Sequence, residues 1–183
     1  MKPANAEKLA RVLKWIVTIA FILLLALLFY VPWLTGIRMM LSWTYVIKTQ
    51  FSFGAVLSAW KVLFDAADPW RTVLAWFLLV CGVCGAVILW QGRIVLSNLA
   101  EGRLFARSNG KAVVRAGVFC FIIAAVSAVR LIVNLILSKS AAPLVTYSTF
   151  FIPVFVIAGL LLLVAGALFA RAAELKEEND LVI

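Results

Sequence analysis

Apolar residues along this chain are gathered into four blocks rather than spaced at a strand period. The blocks occupy 15–34, 72–91 and 116–138, and a fourth ends at Ala170; the third is broken once, by Arg130. A block of about 20 apolar residues matches the roughly 30 Å hydrocarbon core of a bilayer at the helical rise of about 1.5 Å per residue. Lipid offers no partner to a bare amide, so each block must pair its backbone internally and become a helix. No ten-residue alternation that would favour a barrel is present. The pattern predicts an all-α, integral membrane, antiparallel four-helix bundle in one domain. Its spans fall near 13–35, 71–92, 113–137 and 148–171, with an outer loop at 36–70, an inner loop at 93–112 and a tail at 172–183. The first block follows Lys2, Lys8, Arg11 and Lys14, as a secretory leader would. It is too long for one, and VPWLTGIRMM after it holds no small-x-small site, so a retained helix is expected.

The polar positions between the blocks add detail. In the outer loop, FGAVLSAWKVLF sets Val56, Trp60, Leu63 and Phe64 at helical spacing, which predicts a short amphipathic helix on the interface. DPW then starts the second span, with Asp68 as N-cap and Pro69 in the first turn. The second helix is expected to continue past Trp90 to Glu101, where Gly102 suits the left-handed closing position. RLFARSNGK follows as a tight turn, with Ser108 expected as N-cap of the third helix and Leu104 and Phe105 tucked under the bundle.

Charge orients the array. Lys and Arg number eleven in the N-terminal segment, inner loop and tail taken together, against five in the two outer connections. This bias predicts both termini in the cytoplasm. Tryptophans fit the same layout: Trp15 and Trp90 at inner helix ends, Trp33, Trp43, Trp60 and Trp70 at or beyond the outer ends, with Trp76 inside a span and expected to pack. Composition agrees, since 66% of residues are hydrophobic where a soluble domain carries about half.

Candidate chemistry is sparse. Cys81 and Cys84 form a CxxC inside FLLVCGVCGAVILW, and the chain has no histidine. With Cys120 as a third thiol, a four-ligand site lacks donors, so the segment reads as small-residue packing. The same reading covers Ala124 with Ala128, and Gly159 with Gly166, which share a face. Arg130 is the single formal charge within a span, and Ser127 and Asn134 lie on nearly the same face. The stripe should face the bundle interior, with Asp65 and Asp68 of the outer loop as its acidic candidates. It reads as a polar pin or, alternatively, as an outward-facing vestibule of a small transporter or lipid- or amphiphile-binding protein. No paired carboxylates, phosphate loop or activated nucleophile suggests an enzyme, and no cofactor is implied. Basic residues sit at membrane faces, where topology and anionic lipid account for them, so direct nucleic-acid binding is not expected.

The inner connection and the tail carry a resemblance. LAEGRLFARSNGKAVVRAG sets a glycine, a phenylalanine three residues on, an asparagine and a basic helix start at Gly102, Phe105, Asn109 and Arg115; the tail ELKEENDLVI supplies Glu174, Leu175, Glu178, Asn179, Asp180 and Leu181. With the four-span layout, these resemble the domain-of-unknown-function family DUF2975 over nearly the whole chain. Members usually carry a proline where Leu104 stands and an acid where Ser108 stands. The resemblance implies a multi-pass protein of the bacterial inner membrane without established biochemical activity. Many members are encoded beside a small helix-turn-helix regulator, which implies a regulatory or sensory membrane partner of a cytoplasmic factor. Arg103, Phe105, Arg107, Asn109, Glu174, Glu177, Glu178 and Asp180 are then the candidate docking residues. The acidic tail is also placed to clamp the inner cations, and the small-residue faces leave a homo-oligomer as a third expectation.

Overall fold

The computed structural model describes the backbone of residues 3–37, 69–103, 106–145 and 147–180, and the side chains of 8–29, 72–103, 106–145 and 149–179. Four long helices account for almost all of it: α1 (Pro3–Ile37), α2 (Pro69–Ala100), α3 (Arg107–Ser138) and α4 (Tyr147–Asp180), with a 3-10 turn at Ala142–Val145. No strand occurs among the described residues. Each helix holds a stretch long and apolar enough to cross a membrane: Lys8–Phe29, Thr72–Ala100, Arg107–Ser138 and Thr149–Asn179. The chain is an all-α four-helix membrane bundle.

Among the described residues, each helix packs chiefly on its neighbour in sequence, α1 on α2, α2 on α3 and α3 on α4. The outside is apolar. Ile16, Ile22, Leu23, Leu161 and Leu168 are all more than half exposed. In water so large an apolar surface would drive aggregation; in a bilayer it is the surface that lipid wets. Trp76 belongs to this outside, being 56% exposed, so only part of its ring packs against the bundle. Indole is large and apolar enough to lie against acyl chains, so burial in protein is not required.

Small residues set the packing distances. On α2, Gly82 receives Leu28 of α1, and a Cβ on Gly85 would stand 3.4 Å from Leu24. Phe21 and Trp90 meet at 5.7 Å between ring centroids, closing the same interface. The α3–α4 seam is tighter. A Cβ on Gly110 would lie 3.1 Å from the carbonyl oxygen of Gly166, and one on Gly117 would lie 3.1 Å from that of Gly159. Two glycine pairs, each seven residues apart, therefore face each other in antiparallel register. Backbone at such range gives α3 and α4 dispersion contacts that bulkier side chains would hold apart.

The inner connection is shorter than the hydrophobic blocks suggested. It occupies 101–106, because polar residues continue both helices beyond their apolar stretches, α2 to Ala100 beside the expected end at Glu101 and α3 from Arg107 beside the expected start at Ser108. Helical hydrogen bonds need no apolar face once a helix has left lipid. Gly102 takes φ 74° and turns the chain, its N–H donating to the Leu99 carbonyl oxygen at 3.1 Å. The expected Ser108 cap is not used. Ala106, at φ −73° and ψ 134°, is the N-cap and offers no side-chain bond. At the other end, Lys139 closes α3 at φ 48°, donating its N–H to the Leu135 carbonyl oxygen.

Candidate functional site

Polar side chains gather at the end of the bundle that holds the 101–106 turn, and they join all four helices. Lys14 Nζ on α1 donates to Ser97 Oγ on α2 at 2.9 Å, and Ser97 Oγ donates onward to Glu101 Oε1 at 3.3 Å. Glu101 pairs with Arg103. Asn98 Nδ2 donates to Asn109 Oδ1 at 2.6 Å and to Ser108 Oγ at 3.1 Å, linking α2 to α3. Asn109 Nδ2 then donates to the Arg103 carbonyl oxygen at 3.2 Å. Arg107, the first residue of α3, meets Glu177 of α4 at 2.8 Å.

The belt has a buried and an exposed half. Asn109 is 1% exposed, and both ends of its amide are bonded, to Asn98 and to the Arg103 carbonyl oxygen. It therefore holds the turn together and is not a surface for docking, contrary to its place among the docking candidates. Arg103, Arg107, Glu174, Glu177 and Glu178 are exposed at the same end. Arg107 and Glu177 keep more than half of their side-chain surface in solvent, so their bond contributes only about 0–1 kcal/mol and weakens with salt. Lys14, Ser97 and Asn98 belong to the belt but were not among the sequence candidates. Their signal was faint: a polar residue one turn before Gly102 gains a partner only if α2 remains helical that far.

The second polar group lies within α3. Ser127 is fully buried, and its hydroxyl donates to the Ile123 carbonyl oxygen at 2.7 Å, one turn back. This bond satisfies the hydroxyl inside its own helix. Asn134 is 9% exposed. Arg130 stands between them with its guanidinium 4.3 Å from the ring centroid of Phe77 on α2. Phe77 in turn stacks at 6.5 Å on Phe151 of α4, which meets Phe155 edge-on at 5.7 Å. The cation thus heads a row of rings that ties α2, α3 and α4 together. A guanidinium held over an aromatic face gains about 0.5–2 kcal/mol, more when water is kept away. Such a charge pins the three helices from inside the bundle.

Cys81, Cys84 and Cys120 are free thiols, the last two buried. Asp65, Asp68, Phe105, the 53–64 segment, Trp43 and Trp60 lie outside the described residues, as do the side chains of Trp33, Trp70 and Asp180.

Neither the search of curated proteins nor that of solved structures gives a match. A family model described as "Protein of unknown function (DUF2975)" matches residues 41–183, which takes in α2, α3, α4 and the whole turn between α2 and α3. The chain is a multi-pass membrane protein of the DUF2975 family.

Proposed function

We propose that this chain is a non-enzymatic protein of the bacterial inner membrane whose cytoplasmic end docks a soluble regulatory factor, a small helix-turn-helix regulator being the partner class that fits best. The observation that carries the reading is the belt of polar side chains across all four helices. A bundle needing only to cross lipid would have no use for α4 continuing ten residues past Ala170, about 15 Å at the helical rise. The excess of Lys and Arg at this end supports a cytoplasmic position.

The belt joins a fixed part to an exchangeable one. Asn98 and Asn109 hold the α2–α3 turn from within. Outside them, the Arg107–Glu177 pair is weak enough for a partner's charges to replace it at little cost, and complementary charges favour correct encounter. Docking would then be read out as release of α4 from α3 at their polar ends.

Crosslinked co-purification from native membranes tests the proposal. The expected result is a small soluble protein recovered stoichiometrically with the chain and lost when residues 177–183 are deleted while the membrane bundle persists. Recovery of bound lipid or solute without a protein, or self-crosslinking alone, would sink it.

A further inference from the structure

At the same end, α3 and α4 leave a groove of about 450 Å³ between them. Its α3 wall carries Arg107, Lys111 and Arg115, four residues apart and therefore stacked along one helix face. Its α4 wall is small and apolar at Ala167 and Ala170 and ends in the carboxylate of Glu174. Gly110 and Gly166 also line it, so the two backbones approach closely at its floor, where Val114 lies against Gly166. Glu177 engages Arg107, whereas Lys111 and Arg115 have no ion-pair partner among the described residues.

The groove crosses the edge of the hydrocarbon layer. Arg115 immediately precedes the apolar stretch of α3, and Arg107 lies about 12 Å further along the helix by its rise. In the other direction Val114, Val118 and Ile122 continue at four-residue spacing, each more than a third exposed. A polar headgroup and an acyl chain therefore each have a matching surface on one helix: cations first, then an aliphatic track. A soluble anion would use the cations but not the track.

We infer that this groove binds one anionic phospholipid of the adjoining leaflet, its phosphate held by Lys111 and Arg115 and one acyl chain lying along Val114, Val118 and Ile122. Basic pockets between spanning helices are suited to such headgroups because the cations hold the phosphate where the bilayer already supplies it. The inference needs the membrane-spanning architecture but not the docking role.

Native mass spectrometry of the full chain in detergent, with phosphatidylglycerol and phosphatidylcholine added in equal amounts, tests it. Wild type should retain phosphatidylglycerol selectively. Lys111→Gln with Arg115→Gln should reduce that preference by roughly 25-fold, at about fivefold per cation. Arg171→Gln with Lys176→Gln removes two cations of α4 that do not line the groove and should leave the preference intact. Ala167→Trp keeps every charge but fills the groove, and it should also expel the lipid. No preference in wild type, equal loss in both charge-deleted variants, retention in Ala167→Trp, or displacement by inorganic phosphate alone would each overturn the proposal.

Discussion

Asn109 and Gln91 are both buried polar residues near the same membrane edge, yet they are opposite in kind. Asn109 is 1% exposed and bonded through both ends of its amide. Replacing it with alanine removes its bonds to both Asn98 and the Arg103 carbonyl, a loss of about 1–3 kcal/mol at about 0.5–1.5 kcal/mol each. Its neighbour Ser108 is exposed and does not cap α3, so Ser108→Ala should stay within about 0.5 kcal/mol of wild type. Detergent-denaturant titration followed by circular dichroism distinguishes them: Asn109→Ala shifts the midpoint down and Ser108→Ala does not. Gln91 is 8% exposed, and its Oε1 has no hydrogen-bond partner among the described residues. Methionine has similar length without the unmet carbonyl, so Gln91→Met should stabilise by about 1 kcal/mol and raise the midpoint. The sequence motif that contained Asn109 was legible, but its role was not. Its partner, Asn98, lies eleven residues back, and the pairing depends on where one helix stops and the next begins.

At the scale of elements, glycine has two meanings in this bundle, and spacing alone does not separate them. Gly117 sits where a Cβ would press to 3.1 Å on a backbone oxygen of α4. Gly117→Val therefore forces α3 and α4 apart and should cost about 1–3 kcal/mol. At Gly92, within α2, an added Cβ would meet nothing within 4 Å. Gly92→Ala gains helix propensity with no clash and should stabilise by up to about 1 kcal/mol. The same titration measures both, and a destabilising Gly92→Ala together with a neutral Gly117→Val would contradict this account of the seam. The α4 half of that seam was readable because Gly159 and Gly166 share a face in an unmistakable span. The α3 half was hidden because Gly110 fell in a segment whose polarity suggested a connection, although it is helical. Hydropathy locates the part of a helix that lies in lipid, whereas the seam continues past it. The Arg130 stripe shows the converse: its inward face was legible from spacing, but its Phe77 partner belongs to another helix and required the packing.

For the whole molecule, the four candidate spans among the described residues, being even in number, would put the two termini on one side of the membrane. Only the Lys and Arg distribution, eleven against five, assigns that side to the cytoplasm. The assignment governs both proposals, because the polar belt and the basic groove lie at the end that holds the termini. It can be tested with a membrane-impermeant maleimide. Cys84 and Cys120 are buried and Cys81 is half-buried within a span, so single introduced cysteines should dominate labelling. Lys139→Cys, in the turn after α3, should react in intact cells. Lys176→Cys, exposed near the end of α4, should react only once the membrane is opened. The reverse pattern would move the belt to the outer face, where a cytoplasmic regulator cannot reach it, and would end the docking proposal. The groove could still bind an anionic lipid in that case, but from the opposite leaflet. Labelling at both positions in intact cells would instead mean that the chain inserts in two orientations, and the charge bias would then be too weak to set topology by itself.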